Sequence, residues 1–212
     1  MIAGGSSPAG SVVWPCVFLL TGTLCYGAVF GAWRSAAQAG VAAVKMPLFV
    51  LSLLAVSGLI NVILAQVLGS KMSARQVMLC LLMGLTLTYV ILAAVSPVLL
   101  FFSLQCPPPG SPNGVRVYWG LLLAHTAVIG VAGLIGNVRL YRLLNALTQS
   151  PAIAGRVLIS WLLVTGLAGC ELSWIISPFL ATPVDPVPLI NPNAFKTNFF
   201  EYVWRAFIAV SG

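Results

Sequence analysis

The chain has 212 residues, 60% of them hydrophobic and 6% charged, with a mean hydropathy of +1.05. A water-soluble domain carries about 25% charged residues, so water is excluded as the solvent for most of this surface. The formal net charge is +7, from ten Lys or Arg against three acids. These cations lie singly or in pairs between apolar stretches, which excludes the basic, aromatic-interleaved clusters of a nucleic-acid binder and suits anchoring in a lipid bilayer.

A spanning helix needs about 20 apolar residues at about 1.5 Å of rise each, and the chain offers five such segments. The first runs over 12–33. The stretch 34–46, RSAAQAGVAAVKM, is helix-friendly but weakly polar and is predicted to lie along the interface. The second segment covers 47–69, with Pro47 in its first turn. The link SKMSARQ is short, which makes the second and third segments antiparallel neighbours. The third covers 77–104, where Pro97 gives a reason for a kink. After the polar loop QCPPPGSPNGVR the fourth covers 117–138, and the basic link RLYRLLNALTQSPAIAGR leads to the fifth, over 157–180.

Pro183, Pro186, Pro188 and Pro192 forbid a regular helix beyond that point. The tail TNFFEYVWRAFIAV then offers Asn198 as a helix start, with Glu201 three residues on and a favourable Glu201–Arg205 pair. At about 14 residues it is too short to span and is predicted to be an interfacial amphipathic helix. The fold class is therefore all-α, a polytopic membrane helix bundle over 1–183 followed by a proline-rich linker and the amphipathic helix over 184–212. No internal repeat points to an inverted-repeat transporter.

With five spans, the N-terminus shares a face with Lys71, Arg75, Arg139, Arg142 and Arg156. The opposite face has Arg34, Lys45, Arg116, Lys196 and Arg205, together with the acids Asp185 and Glu201. Counting short loops alone, the first face leads by five to three, which predicts a cytoplasmic N-terminus. The opening MIAGGSSPAGS has no Lys or Arg, and no cleaved leader is predicted from it.

The stretch from Lys45 to Leu104 reads KMPLFVLSLL, then LGSKMSARQVMLCLL, then a late proline, Pro97. In hydropathy and turn pattern it resembles bacterial Yip1-like membrane proteins, which implies membrane organisation or trafficking-like roles. The later GCELSWIISPFLATP, followed by NAFKTNFFEYVWRAF, resembles the end of a family of small bacterial polytopic proteins. Neither resemblance brings a motif with a catalytic role.

Standard catalytic signatures are missing. One histidine rules out HExxH, and there is no phosphate-loop signature and no GxSxG elbow. The cysteines Cys16, Cys25, Cys80, Cys106 and Cys170 form no metal-ligand spacing, and all but Cys106 sit in apolar runs. No catalytic residue is assigned, and no metal or cofactor is expected.

Two ionisable residues remain inside apolar runs, His125 in LLLAHTAVIG and Glu171 in LAGCELSWII. Measured from the predicted span ends, both lie some 12–14 Å below the same face, so a direct pair is predicted. It reads either as a proton or ion relay or as a hydrogen bond that fixes helix register. Small residues form two stripes at helical spacing, Thr126, Gly130, Gly133 and Asn137 on the fourth segment and Gly166, Gly169, Ser173 and Ser177 on the fifth. Such stripes permit close backbone approach, within the chain or between subunits. Glu171 points about 155° from its own segment's stripe, so that segment asks for protein contact on two sides. Asn61, Gln66, Thr86 and Thr88 add positions for interhelical hydrogen bonds.

Together these features predict a non-enzymatic scaffold or homo-oligomer. The alternatives are a small channel or proton-linked transporter using His125 and Glu171, and an accessory subunit of a larger membrane complex.

Overall fold

In the computed structural model, residues 10–181, 191 and 195–211 are described. They form six helices: α1 (Gly10–Ala32), α2 (Ala36–Val67), α3 (Ala74–Gln105), α4 (Gly114–Thr148), α5 (Pro151–Ile176) and α6 (Phe199–Ser211). The first five are long and apolar enough to cross a membrane, and α6, at 13 residues, is not. The chain is thus an all-α, multi-span membrane protein. The proline-rich linker falls largely on 182–190 and 192–194, outside the described residues.

Helix starts follow local chemistry. At α2 the Ser35 side chain accepts from the Gln38 N–H. At α3, Ser73 and Gln76 form a reciprocal capping box. At α5, Ser150 accepts from the Ile153 N–H and Pro151 occupies the first turn, where its missing N–H costs nothing. Between α4 and α5 the chain turns on Gln149, whose φ of 53° is left-handed.

Several boundaries differ from their predicted places. The stretch 34–46 does not lie along the interface as a separate element. Its residues from Ala36 onward begin α2, which runs on through Pro47. The basic link 139–156 is divided between two helices, its first part continuing α4 to Thr148 and its last part beginning α5 at Pro151. The fifth helix ends at Ile176 rather than Leu180, because Pro178 has no N–H to continue it. At 35 residues α4 is about 52 Å long, well beyond a hydrocarbon core of about 30 Å. Its far end carries the exposed Arg139 and Arg142 on the N-terminal face.

α1 packs on α2 and α3, α4 lies between α3 and α5, and α5 also packs on α2. The α1–α2 crossing is close because Gly27 and Gly31 stand one turn apart. A Cβ on Gly27 would lie 2.6 Å from the Ala42 carbonyl oxygen, and one on Gly31 would lie 2.5 Å from that of Gln38. Gly22 meets the Tyr89 backbone of α3 in the same way, at 2.9 Å. Apolar helices gain little from burial in lipid, so this close van der Waals contact is what holds them together.

Candidate functional site

One cluster of buried polar groups lies toward the face opposite the N-terminus. Tyr26 of α1 and His125 of α4 are both buried, at 0% and 1% exposure, and the Tyr26 hydroxyl shares a 2.9 Å hydrogen bond with His125 Nδ1. The imidazole stands edge-on to Phe30, with ring centroids 4.1 Å apart. Tyr89 of α3 meets Tyr26 edge-on and donates its hydroxyl to Met46 Sδ at 3.5 Å. Four helices therefore converge on one aromatic centre, completed by Phe179 against Phe30 and Phe49.

Phe179 belongs to a strap, residues 177–181, that turns back into the bundle after α5 ends. Phe179, Leu180 and Ala181 are all buried although their backbone is not helical. Irregular backbone at such a position survives only if protein donors satisfy its carbonyls. Gln38 and Lys45, both buried on α2, supply them. Gln38 Nε2 donates to the Phe179 carbonyl at 2.6 Å, and Lys45 Nζ donates to that of Pro178 at 3.2 Å. The α5 carbonyls left open at its end are met by Asn191, whose backbone N–H donates to Ile175 and whose amide donates to Trp174.

The predicted His125–Glu171 pair is not formed. His125 faces α1, whereas Glu171 is exposed on the surface of α5 and joins no hydrogen bond or ion pair among the described residues. The depth match depended on the predicted helix ends. From Gly114 to His125 is eleven residues, about 16 Å, and from Glu171 to Ile176 is five, about 8 Å. Glu171 thus lies nearer its helix end than His125 does, and it faces outward from the bundle.

The small stripes also sit differently from an interior contact. A Cβ on Gly130, Gly133 or Gly166 would meet nothing within 4 Å, and one on Gly169 would make only ordinary contact with Leu53, at 3.7 Å. Thr126, Asn137, Ser173 and Ser177 turn their side-chain donors onto carbonyls of their own helices. The close contact on α4 comes instead from Gly136, where a Cβ would lie 2.7 Å from Thr88 Oγ1 of α3.

Among the other polar positions, Asn61 donates to Thr165 of α5 at 3.1 Å, and Thr86 reaches the Pro15 carbonyl of α1 at 3.1 Å. Thr88 bonds within its own helix and Gln66 is exposed. Sequence reasoning missed Tyr26, Gln38 and the Gly27–Gly31 pair. The last carried a legible signal, a G-x-x-x-G spacing within an apolar segment.

On the same face, α6 docks over the starts of α4 and the end of α5. Tyr118 and Tyr202 share a hydrogen bond between their hydroxyls, the Tyr202 ring packs at a tilt against Trp119 and Trp174, and Arg116 donates to the Val210 carbonyl at 3.2 Å. Trp33 is tied to the Pro107 carbonyl at 3.0 Å. The result is an aromatic girdle of the kind that marks a membrane–water boundary. No family model, no curated protein and no solved structure matches the chain.

Proposed function

We propose that this chain is a non-enzymatic membrane scaffold that assembles side by side with further copies of itself through the outer faces of α4 and α5. One asymmetry carries the reading. Gly22, Gly27, Gly31 and Gly136 are each in tight contact inside the bundle, whereas Gly130, Gly133 and Gly166 meet nothing. On α5 the exposed Ile159, Leu163, Leu167 and Glu171 recur every four residues, so a carboxyl group ends an apolar outward stripe. A carboxylate in that position gains from a protein partner more than from lipid. The single histidine is enclosed against Tyr26 and Phe30, which removes the geometry on which a relay to Glu171 rested.

The orientation we propose keeps the N-terminal face cytoplasmic. Lys71, Arg75, Arg139, Arg142 and Arg156 are all exposed there. On the opposite face Lys45 is buried against the strap, Arg116 holds α6 and Arg205 pairs with Glu201. The exposed cations number five on the N-terminal side against Arg116, Lys196 and Arg205 on the other, which supports a cytoplasmic N-terminus. A bacterial inner membrane rests on the resemblance of residues 45–104 alone.

The assembly test is oxidative crosslinking in native membranes, with Cys16, Cys25, Cys80, Cys106 and Cys170 replaced by Ala. A Leu163→Cys chain should give a product of twice the monomer mass, and a Leu59→Cys chain, exposed on α2, should not. Equal crosslinking at both positions, or none at 163, contradicts the reading. A product of some other mass would assign the face to a different subunit and overturn self-assembly.

A further inference from the structure

We propose that the hollow between the end of α5 and the start of α6 binds the monoanionic phosphodiester headgroup of a membrane lipid. It has a volume of about 300 Å³ and is lined by Trp174, Lys196, Thr197, Tyr202 and Arg205. That volume is at the small end of the range for ligand sites, which suits a headgroup better than a whole lipid.

The lining is built for an oxyanion. Trp174 is 6% exposed, and its indole N–H is buried with no hydrogen-bond partner among the described residues. A buried donor left alone costs about 1–3 kcal/mol; Trp174 lines the hollow, so a small turn of its ring toward an acceptor there would remove that cost. Thr197 adds a hydroxyl donor, and Lys196 and Arg205 add positive charge. Arg205 spends one donor on Glu201 at 2.6 Å; four remain, because a guanidinium carries about five. That pair leaves Arg205 and Glu201 neutral together, so Lys196 sets the balance near a single positive charge. A phosphodiester, with one negative charge, matches it. A trimethylammonium group is repelled by Lys196, despite the aromatic rings of Trp174 and Tyr202 beside it.

The position selects a lipid over a soluble phosphate. The hollow opens within the aromatic girdle. Beside it α6 exposes Phe200, Trp204, Phe207 and Ile208, spaced to lie along one side of the helix. An apolar stripe of that kind enters the acyl boundary and leaves its polar neighbours at headgroup level. A phosphodiester in the hollow therefore has room for its chains alongside α6.

The test uses the full chain in nanodiscs of phosphatidylcholine doped with phosphatidylglycerol, followed by native mass measurement of the lipids retained. The wild type should retain phosphatidylglycerol over phosphatidylcholine by roughly tenfold, the scale of one charge-assisted contact. Lys196→Gln should lose most of that preference. Trp174→Phe keeps a ring without the N–H and should lose part of it. Lys71→Gln, on the opposite face, should retain it all. Because Lys196 is exposed, its variant folds whatever the role of the hollow. An unchanged preference in Lys196→Gln overturns the proposal. Inorganic phosphate alone, titrated in detergent, should not raise the melting temperature. A rise as large as that given by phosphatidylglycerol would assign the hollow to a soluble anion and overturn the lipid.

Discussion

Gly27 and Gly31 of α1 and Gly130, Gly133 and Gly166 of α4 and α5 look alike in sequence and do opposite things. Around Gly27 and Gly31 the backbones of α1 and α2 come so close that a single added carbon would strike a carbonyl group. Around Gly130, Gly133 and Gly166 the same carbon would meet empty space. The first region is the closed seam of the bundle, with the aromatic centre and the strap beside it. The second is an outer surface that makes no close contact with the other described residues. A glycine stripe thus marks a capacity for close approach, and only the fold decides whether the chain itself uses it.

The seam should break most severely. Gly31→Leu puts a branched side chain onto the Gln38 backbone, which cannot yield as a flexible side chain would. Overpacking usually costs about 1–3 kcal/mol, and here a loss of about 3 kcal/mol or more is expected, read as a lowered Tm in detergent. Retained stability would mean that α1 and α2 are not held together at this crossing.

The strap comes next. Gln38→Leu leaves the buried Phe179 carbonyl without its 2.6 Å donor, for an expected loss of about 1–3 kcal/mol. Proteolysis near residue 181 should then outpace that of the wild type. Equal protection would mean that packing of Phe179 and Leu180, not their backbone bonds, holds the strap down.

A smaller effect separates the partner His125 has from the partner it lacks. A double-mutant cycle of Tyr26→Phe with His125→Leu should give a coupling near the ~0.6 kcal/mol typical of hydrogen bonds between membrane helices. The cycle of Glu171→Leu with His125→Leu should be additive within about 0.3–0.5 kcal/mol. The reverse ranking would restore the relay geometry.

Much of the fold was legible because spanning helices announce themselves by length and composition alone. The boundaries were less so, since hydropathy is blind to capping, although SAAQ at Ser35 and SP at Ser150 carried the needed signals. Depth along a helix is a count of residues, and the count failed when Pro178 ended α5 early. Direction around a helix was harder still. In a soluble protein, Glu171 would declare an outward face. In a membrane a polar residue is expected inward, and that expectation turned Glu171 the wrong way. The strap was illegible for a different reason. Nothing local marks SPFLA as buried, and its donors, Gln38 and Lys45, lie more than a hundred residues away.

The difference between the two glycine regions is tested most directly by the mass of the chain in nanodiscs, compared between wild type and the Gly130→Leu, Gly133→Leu double variant. Leu is also the better helix former, by up to about 1 kcal/mol per site, so the variant's Tm should stay level or rise. The account predicts several wild-type copies per disc and a single copy for the variant, at undiminished stability. A wild type present as one copy, or a variant whose assembly is unchanged, would contradict it.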